Sequence, residues 1–162
     1  MIATLHYDSP IGCLAVTGTD ARLYSVRRVD GPSALPDHPT PLLREAVRQL
    51  RSYFDSQRLH FDLPLDYQSA TDFQRRVWEL LRAIPYGQTR SYLHIAQQLG
   101  DAKAVRAVGM ANRTNPFAIV VPCHRVIAAN GDLQGYFYGL DVKRQLLALE
   151  NPASFAEQGS LF

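Results

Sequence analysis

The chain reads as an α+β protein, and three observations predict that class. Residues 1–30 alternate apolar and polar side chains between turn signals. From residue 40 the apolar spacing changes to the helical period. A single β-branched run, Ile119-Val120-Val121, interrupts the helical half.

The strand signals come first. Thr4–Tyr7, Cys13–Val16 and Leu23–Val26 are separated by Ser9-Pro10-Ile11-Gly12 and Gly18-Thr19-Asp20, which predicts two hairpins or a three-stranded meander. Residues 31–40 are a proline-rich loop. Thr40 then stands as an N-cap with Pro41 at the first helical position. Leu43, Val47, Leu50 and Phe54 form the apolar stripe of that helix. Residues 55–70 connect it to the second half. There Thr71-Asp72-Phe73-Gln74 has capping-box spacing, and Phe73, Val77, Leu80 and Leu81 follow at helical period.

Ile84-Pro85-Tyr86-Gly87 stops that helix and turns the chain. Ser91 caps a short helix through Leu99, and Gly100 sits where a left-handed glycine ends it. Asp101 is placed to cap the next helix, Lys103–Asn112. Helix, glycine turn and helix together have helix-turn-helix spacing. Ile119-Val120-Val121 reads as a short buried strand ended by Pro122, and a last helix runs from about Asp141 to Glu150 before Pro152.

Bulk properties narrow the function classes. A chain of 162 residues holds one large domain or two small ones. No apolar run is long enough to span a bilayer, and the N-terminus lacks the basic-then-apolar pattern of a signal peptide. Two cysteines do not make a disulfide framework, so a reducing, cytoplasmic location is expected. Net charge is +2, but residues 71–125 carry +5 and the remainder −3. A basic half points to a polyanion as much as to a plain solvated face.

Chemistry concentrates at Pro122-Cys123-His124-Arg125. A thiol becomes a nucleophile when a neighbouring base or cation draws off its proton, and His124 and Arg125 supply both. A buried structural cysteine is the plain alternative. The Lys103–Asn112 helix is nearly bare: Ala104, Ala107, Gly109 and Ala111 carry almost no side chain, yet Arg106 projects from it. Such a face suits close approach to DNA, with Arg106 entering the stack or groove, or else close packing against another helix.

In their order along the chain, Ile84-Pro85-Tyr86-Gly87, Arg90-Ser91-Tyr92, Ala104-Val105-Arg106-Ala107-Val108-Gly109, Asn115-Pro116, Pro122-Cys123-His124-Arg125-Val126 and Lys143-Arg144-Gln145-Leu146-Leu147-Ala148-Leu149-Glu150 resemble the O6-alkylguanine-DNA alkyltransferases. The likeness is dense from about 70 to 150 and thinner before, where Ser9-Pro10-Ile11-Gly12 echoes it. It implies a small N-terminal α/β domain with an antiparallel sheet over 1–66, a mainly helical DNA-binding and transfer domain over 67–152, and a flexible tail over 153–162. It implies single-turnover repair: a base flips out of the duplex, and its O6-alkyl group (or that of an O4-alkylthymine) moves to Cys123.

The resemblance also assigns roles. His124 acts as base to Cys123 through a water, Glu150 orients His124, and Asn115 holds the active-site backbone. Tyr92 protonates the guanine at N3. Arg106 fills the vacated stack, with Ala107, Gly109, Arg113 and Arg125 also on DNA. The carbonyls of Cys123 and Val126 and a backbone N–H near Phe137 read the guanine edge, in a pocket that includes Tyr136, Phe137, Tyr138 and Lys143. The expected partner is damaged duplex, met through the minor groove by a protein that is monomeric without DNA. No cofactor and no metal are expected, because Cys13, His6, His38 and His60 are scattered.

Two features depart from the pattern. Phe137-Tyr138-Gly139 replace small residues and a glycine pair, so two rings should narrow or roof the pocket. Gln158-Gly159-Ser160-Leu161-Phe162 resembles the short motif by which bacterial replication and repair proteins dock on the sliding clamp, or is simply a frayed end. Three rival readings need different evidence. A lesion-binding protein of the same fold would bind without transfer, and such relatives replace the reactive cysteine. A helix-turn-helix regulator would need a separate sensor or dimerisation segment. A Cys-His hydrolase would turn over.

Overall fold

The computed structural model describes residues 1–30, 36–58, 60–133 and 135–155. They form two compact units. The first is Met1–Ser69 together with Pro116–Val120; the second is Ala70–Asn115 and the chain from Val121 on.

In the first unit, β1 (Ala3–Ser9), β2 (Gly12–Gly18) and β3 (Leu23–Arg28) make the expected antiparallel meander in the order β1-β2-β3. The β1–β2 turn is tight because Gly12 adopts φ 115° and the Ser9 hydroxyl donates to the Gly12 carbonyl at 2.6 Å. Leu14, Val16, Leu23 and Val26 are fully buried from the sheet. Helix α1 (Pro41–Phe54) meets them with Leu43, Ala46, Leu50 and Tyr53. Its start is as read: the Thr40 side chain accepts from Leu43 N, and Pro41 opens the helix. Its end is a full Schellman motif, with Ser56 N donating to Tyr53 O and Gln57 N to Ser52 O. Ser56 takes the left-handed position, at φ 58°.

In the second unit, α2 (Asp72–Arg82) carries the predicted capping box between Thr71 and Gln74. β4 (Arg90–Ser91) leads straight into α3 (Tyr92–Gln98), capped by Ser91. Gly100, at φ 86°, turns the chain towards α4 (Val105–Arg113). This is the helix-turn-helix. Its second helix starts later than the sequence suggests. Asp101 accepts from Lys103 N at 2.9 Å within a turn, and Ala104 stands at the N-cap without a side-chain bond. A 3₁₀ turn at Cys123–Arg125 precedes β5 (Val126–Ile127), which pairs in parallel with β4. Helices α5 (Leu140–Glu150) and α6 (Pro152–Phe155) follow. Trp78 locks α2 to α4 by donating from Nε1 to Ala111 O at 2.8 Å. Val77, Leu81, Ile95, Val108 and Leu146 fill the core of this unit.

Two expectations need correction. Ile119–Val121 is not a strand. Phe117 pairs with Val26 as a single parallel bridge in the first unit, after which Ala118–Val120 turn tightly. Val120 N donates to Ala118 O at 2.7 Å, and Ile119 sits at φ 69°. The run is β-branched because it is buried, not because it is extended: Ile119 is 1% exposed. Nor does one cut at residue 66 separate the units. Val26 N donates to Pro116 O and Ala118 N to Val26 O, both at 2.9 Å, so Pro116–Val120 belong with the N-terminal sheet.

Candidate active site

Every candidate catalytic residue belongs to the second unit. The 3₁₀ turn presents three consecutive side chains, Cys123, His124 and Arg125, and all three are buried. The turn closes through Cys123 N on Val121 O at 2.8 Å and Arg125 N on Pro122 O at 3.0 Å.

Glu150, at the end of α5, organises the charge. Its Oε2 lies 2.6 Å from His124 Nε2 and 3.0 Å from Arg125 Nη2; its Oε1 accepts from Arg125 Nε at 2.7 Å and from Gly87 N at 3.3 Å. Burial alone would raise this carboxyl, but His124 and Arg125 outweigh it and hold Glu150 well below the usual carboxylate range. Glu150 is therefore ionised. His124 has no exposed surface, and burial pushes its pKa down despite Glu150. A neutral imidazole whose Nε2–H faces a carboxylate keeps its lone pair on Nδ1. That nitrogen is buried and has no partner among the described residues.

Cys123 is 6% exposed. Burial pushes its thiol up, against the Asn115 amide, the Lys143 charge and the Tyr136 hydroxyl, which all favour thiolate. The resting thiol thus keeps its proton until a base takes it, and His124 is the adjacent base. Asn115 donates to Val121 O at 2.8 Å, bridging the two ends of the Pro116–Val120 excursion. The Tyr136 hydroxyl is buried beside the thiol, with no other partner among the described residues.

Tyr92 opens α3. Burial, then the nearby Cys123, pushes its phenol up to about 12, so it is a proton donor at neutral pH. Lys143 is fully buried. Its Nζ donates to Val126 O at 2.6 Å and lies 5.9 Å above the Tyr92 ring. Burial lowers its pKa to about 8, with the Cys123 charge opposing.

Arg106, Ala107 and Arg113 are exposed along α4. A Cβ added to Gly109 would meet nothing within 4 Å, so internal packing does not require this glycine. A cleft of about 300 Å³ opens beside it, lined by Tyr92, Val105, Gly109, Met110, Arg113 and Gly135.

Two expected placements are corrected. Arg125 is no surface cation for DNA: its guanidinium is spent on Glu150 and on Ile84 O at 2.7 Å. Lys143 is no open pocket wall, because its ammonium is turned inward onto Val126. The two added rings pack edge-on against each other at 5.1 Å, and Tyr138 also meets Tyr136 edge-on at 5.7 Å, while Phe137 stays 62% exposed. Gln158, Leu161 and Phe162 lie outside the described residues.

One residue was missed. Asn112 is 2% exposed, and its Nδ2 donates to Cys123 O at 3.3 Å. The signal was its place four residues after Val108, on the buried face of α4.

Residues 72–152 match the family model of the 6-O-methylguanine DNA methyltransferase DNA-binding domain, and residues 3–67 match that of the ribonuclease-like domain of the same proteins. The chain is 51% identical over 161 residues to a methylated-DNA–protein-cysteine methyltransferase of Mycolicibacterium paratuberculosis, covering 95% of this chain and 97% of the relative. It is 47% identical over 149 residues to one of Methanosarcina acetivorans, covering 89% and 95%. Among solved structures, Mycobacterium tuberculosis OGT in complex with DNA superimposes with a TM-score of 0.82 at 47% identity, over 99% of this chain and 98% of that one. The O6-methylguanine methyltransferase of the same organism gives 0.84 at 43% identity over the full length of both. By both domains, and by identity across nearly its whole length, the chain belongs to the 6-O-methylguanine DNA methyltransferase family.

Proposed function

We propose that this protein repairs O6-alkylguanine in DNA by moving the alkyl group to Cys123, once per molecule. The observation that carries the reading is the buried relay of His124 and Glu150 behind an adjacent cysteine, with Nδ1 of His124 left as an acceptor.

The steps balance. The damaged nucleotide leaves the stack at a cost of a few kcal/mol, and Arg106 fills the gap. His124 Nδ1 takes the thiol proton, directly or through a water, and the imidazolium formed is matched by ionised Glu150. The sulfur attacks the alkyl carbon; the S–C bond forms as the C–O6 bond breaks. The electron pair goes to guanine, which takes the phenol proton of Tyr92 at N3. His124 then returns the thiol proton to the tyrosinate through solvent. Burial, and after it the Arg125 charge, keeps His124 neutral in the resting state against the pull of Glu150. Asn115 and Asn112 hold the turn still. The product is a thioether with no good leaving group, so the protein is consumed.

Recognition follows the same helix. Exposed Arg106, Ala107 and Arg113, with half-buried Gly109 between them, suit the minor groove, which a nearly bare helix enters more closely than a bulky one. The Cys123 and Val126 carbonyls read the guanine edge, and O4-alkylthymine is a second substrate of the same chemistry. The protein acts as a monomer on encounter. A sliding-clamp contact through Gln158, Leu161 and Phe162 predicts that the free tail peptide binds a clamp at about micromolar Kd; a full-length protein that ignores the clamp removes that part alone.

Duplex carrying one labelled O6-methylguanine tests the reading. Wild type takes up the label in a one-to-one amount. Cys123→Ser binds the duplex and takes none. Label on the serine variant would overturn the assignment.

A further inference from the structure

α4 bears a side chain that the proposed chemistry does not use. Met110 is 63% exposed, although most large apolar side chains of the second unit are buried. A lone exposed apolar residue needs no explanation. This one has company. Val105, 36% exposed, shares its cleft, and between them Gly109 leaves a notch that no protein atom fills. A mid-helix glycine costs about 1 kcal/mol relative to alanine, and nothing inside the fold offsets that cost here.

The surroundings identify the occupant. Met110 lies four residues after Arg106 and three before Arg113, so all three occupy one exposed face of α4. That helix contains no acidic residue. An apolar group flanked by two guanidiniums suits a polyanion that also offers apolar surface, namely stacked bases and deoxyribose. Met110 also lines the cleft that holds Tyr92, the phenol assigned above to protonate the leaving guanine. Beside that phenol it is placed to meet a nucleotide that has left the stack.

We infer that Met110 is an apolar wedge, one turn from Arg106, that packs into the disturbed base step and opposes return of the flipped nucleotide to the duplex. The inference rests on the proposed DNA-repair reading and adds a second, uncharged group to it. An unbranched thioether fits this task, since it adapts to an irregular gap and loses little on leaving water. Arg106 replaces the missing base by charge and hydrogen bonding, whereas Met110 acts by covering apolar surface.

The test compares two substrates. O6-methylguanine is placed in an oligonucleotide, used once as duplex and once as a single strand, and the transfer rate constants are expressed as a ratio. Only the duplex has a stack to prop open. Met110→Ala should lower the duplex-to-single-strand ratio about tenfold, the effect of exposing a part-buried methionine. Met110→Leu, which keeps the apolar bulk, should hold the ratio near wild type. A ratio unchanged in the alanine variant overturns the wedge, as does an equal fall in the leucine variant. Absence of transfer by the wild type to either substrate would overturn the repair reading itself, and the wedge with it. Because Met110 is exposed, both variants should melt with the wild type.

Discussion

At the scale of single residues, burial sets the state of His124, with Glu150 and Arg125 acting on it in opposite directions. Their ion pair is buried on both sides, with Nε to Oε1 at 2.7 Å. Removing one partner would leave an uncompensated charge in the core. Arg125→Met should therefore destabilise the fold by about 3 kcal/mol in urea denaturation; a DNA contact on the surface would leave stability unchanged and alter only the salt dependence of binding. Lys143 makes a second prediction, in pH. Its folded pKa, about 8, lies below its ordinary 10.5, so the folded state holds fewer protons than the unfolded chain between those values. The folded state is penalised below that window and relieved across it. The stability of wild type minus that of Lys143→Met should rise from pH 8 to 10.5; a flat difference would mean that the ammonium is solvated. Glu150 came to the candidate site through the family resemblance, and the Cys123-His124 pair was legible in the sequence because it is a local pattern. Arg125 was misread for the same reason: from one side of the motif, a buried arginine and a DNA-facing one look alike. Only the fold brings Ile84 O and Glu150 to it.

At the scale of elements, what is local was legible and what is tertiary was not. The Thr40, Thr71 and Ser91 caps all form, since each needs only the next three residues. The meander register follows from alternation and two turns. The Ile119 run failed because an apolar stretch reports burial rather than conformation. Ile119, at φ 69°, follows the bond from Ala118 N to Val26 O, a partner far away along the chain that no local rule reaches. The end of α1 supplies a prediction. Ser56 holds the left-handed position of a complete Schellman motif and is exposed. Ser56→Gly should stabilise the protein by about 1 kcal/mol, read as a higher urea midpoint at unchanged slope. A lower midpoint would mean that the serine side chain secures the turn.

At the scale of the whole molecule, the chain divides its work. Cys123, His124, Glu150, Tyr92, Asn112 and Asn115 all lie in the unit that also carries the exposed cations of α4. The proposed DNA face and the candidate site thus share α4: its outer face bears Arg106 and Met110, and its inner face sends Asn112 to the Cys123 carbonyl. The sequence hinted at this through the +5 of residues 71–125. It could not show that Pro116–Val120 leave for the other unit just before the nucleophile, because that excursion depends on an edge of β3. The central claim is irreversible transfer to one thiol. The intact mass of the protein, taken after incubation with excess duplex containing O6-methylguanine, tests it most directly. Each molecule should gain a single methyl group, mapped by fragmentation to Cys123, and no more however long the incubation. Unchanged mass with repaired DNA, repair of more guanines than there are protein molecules, or a methyl on Cys13 would contradict the account.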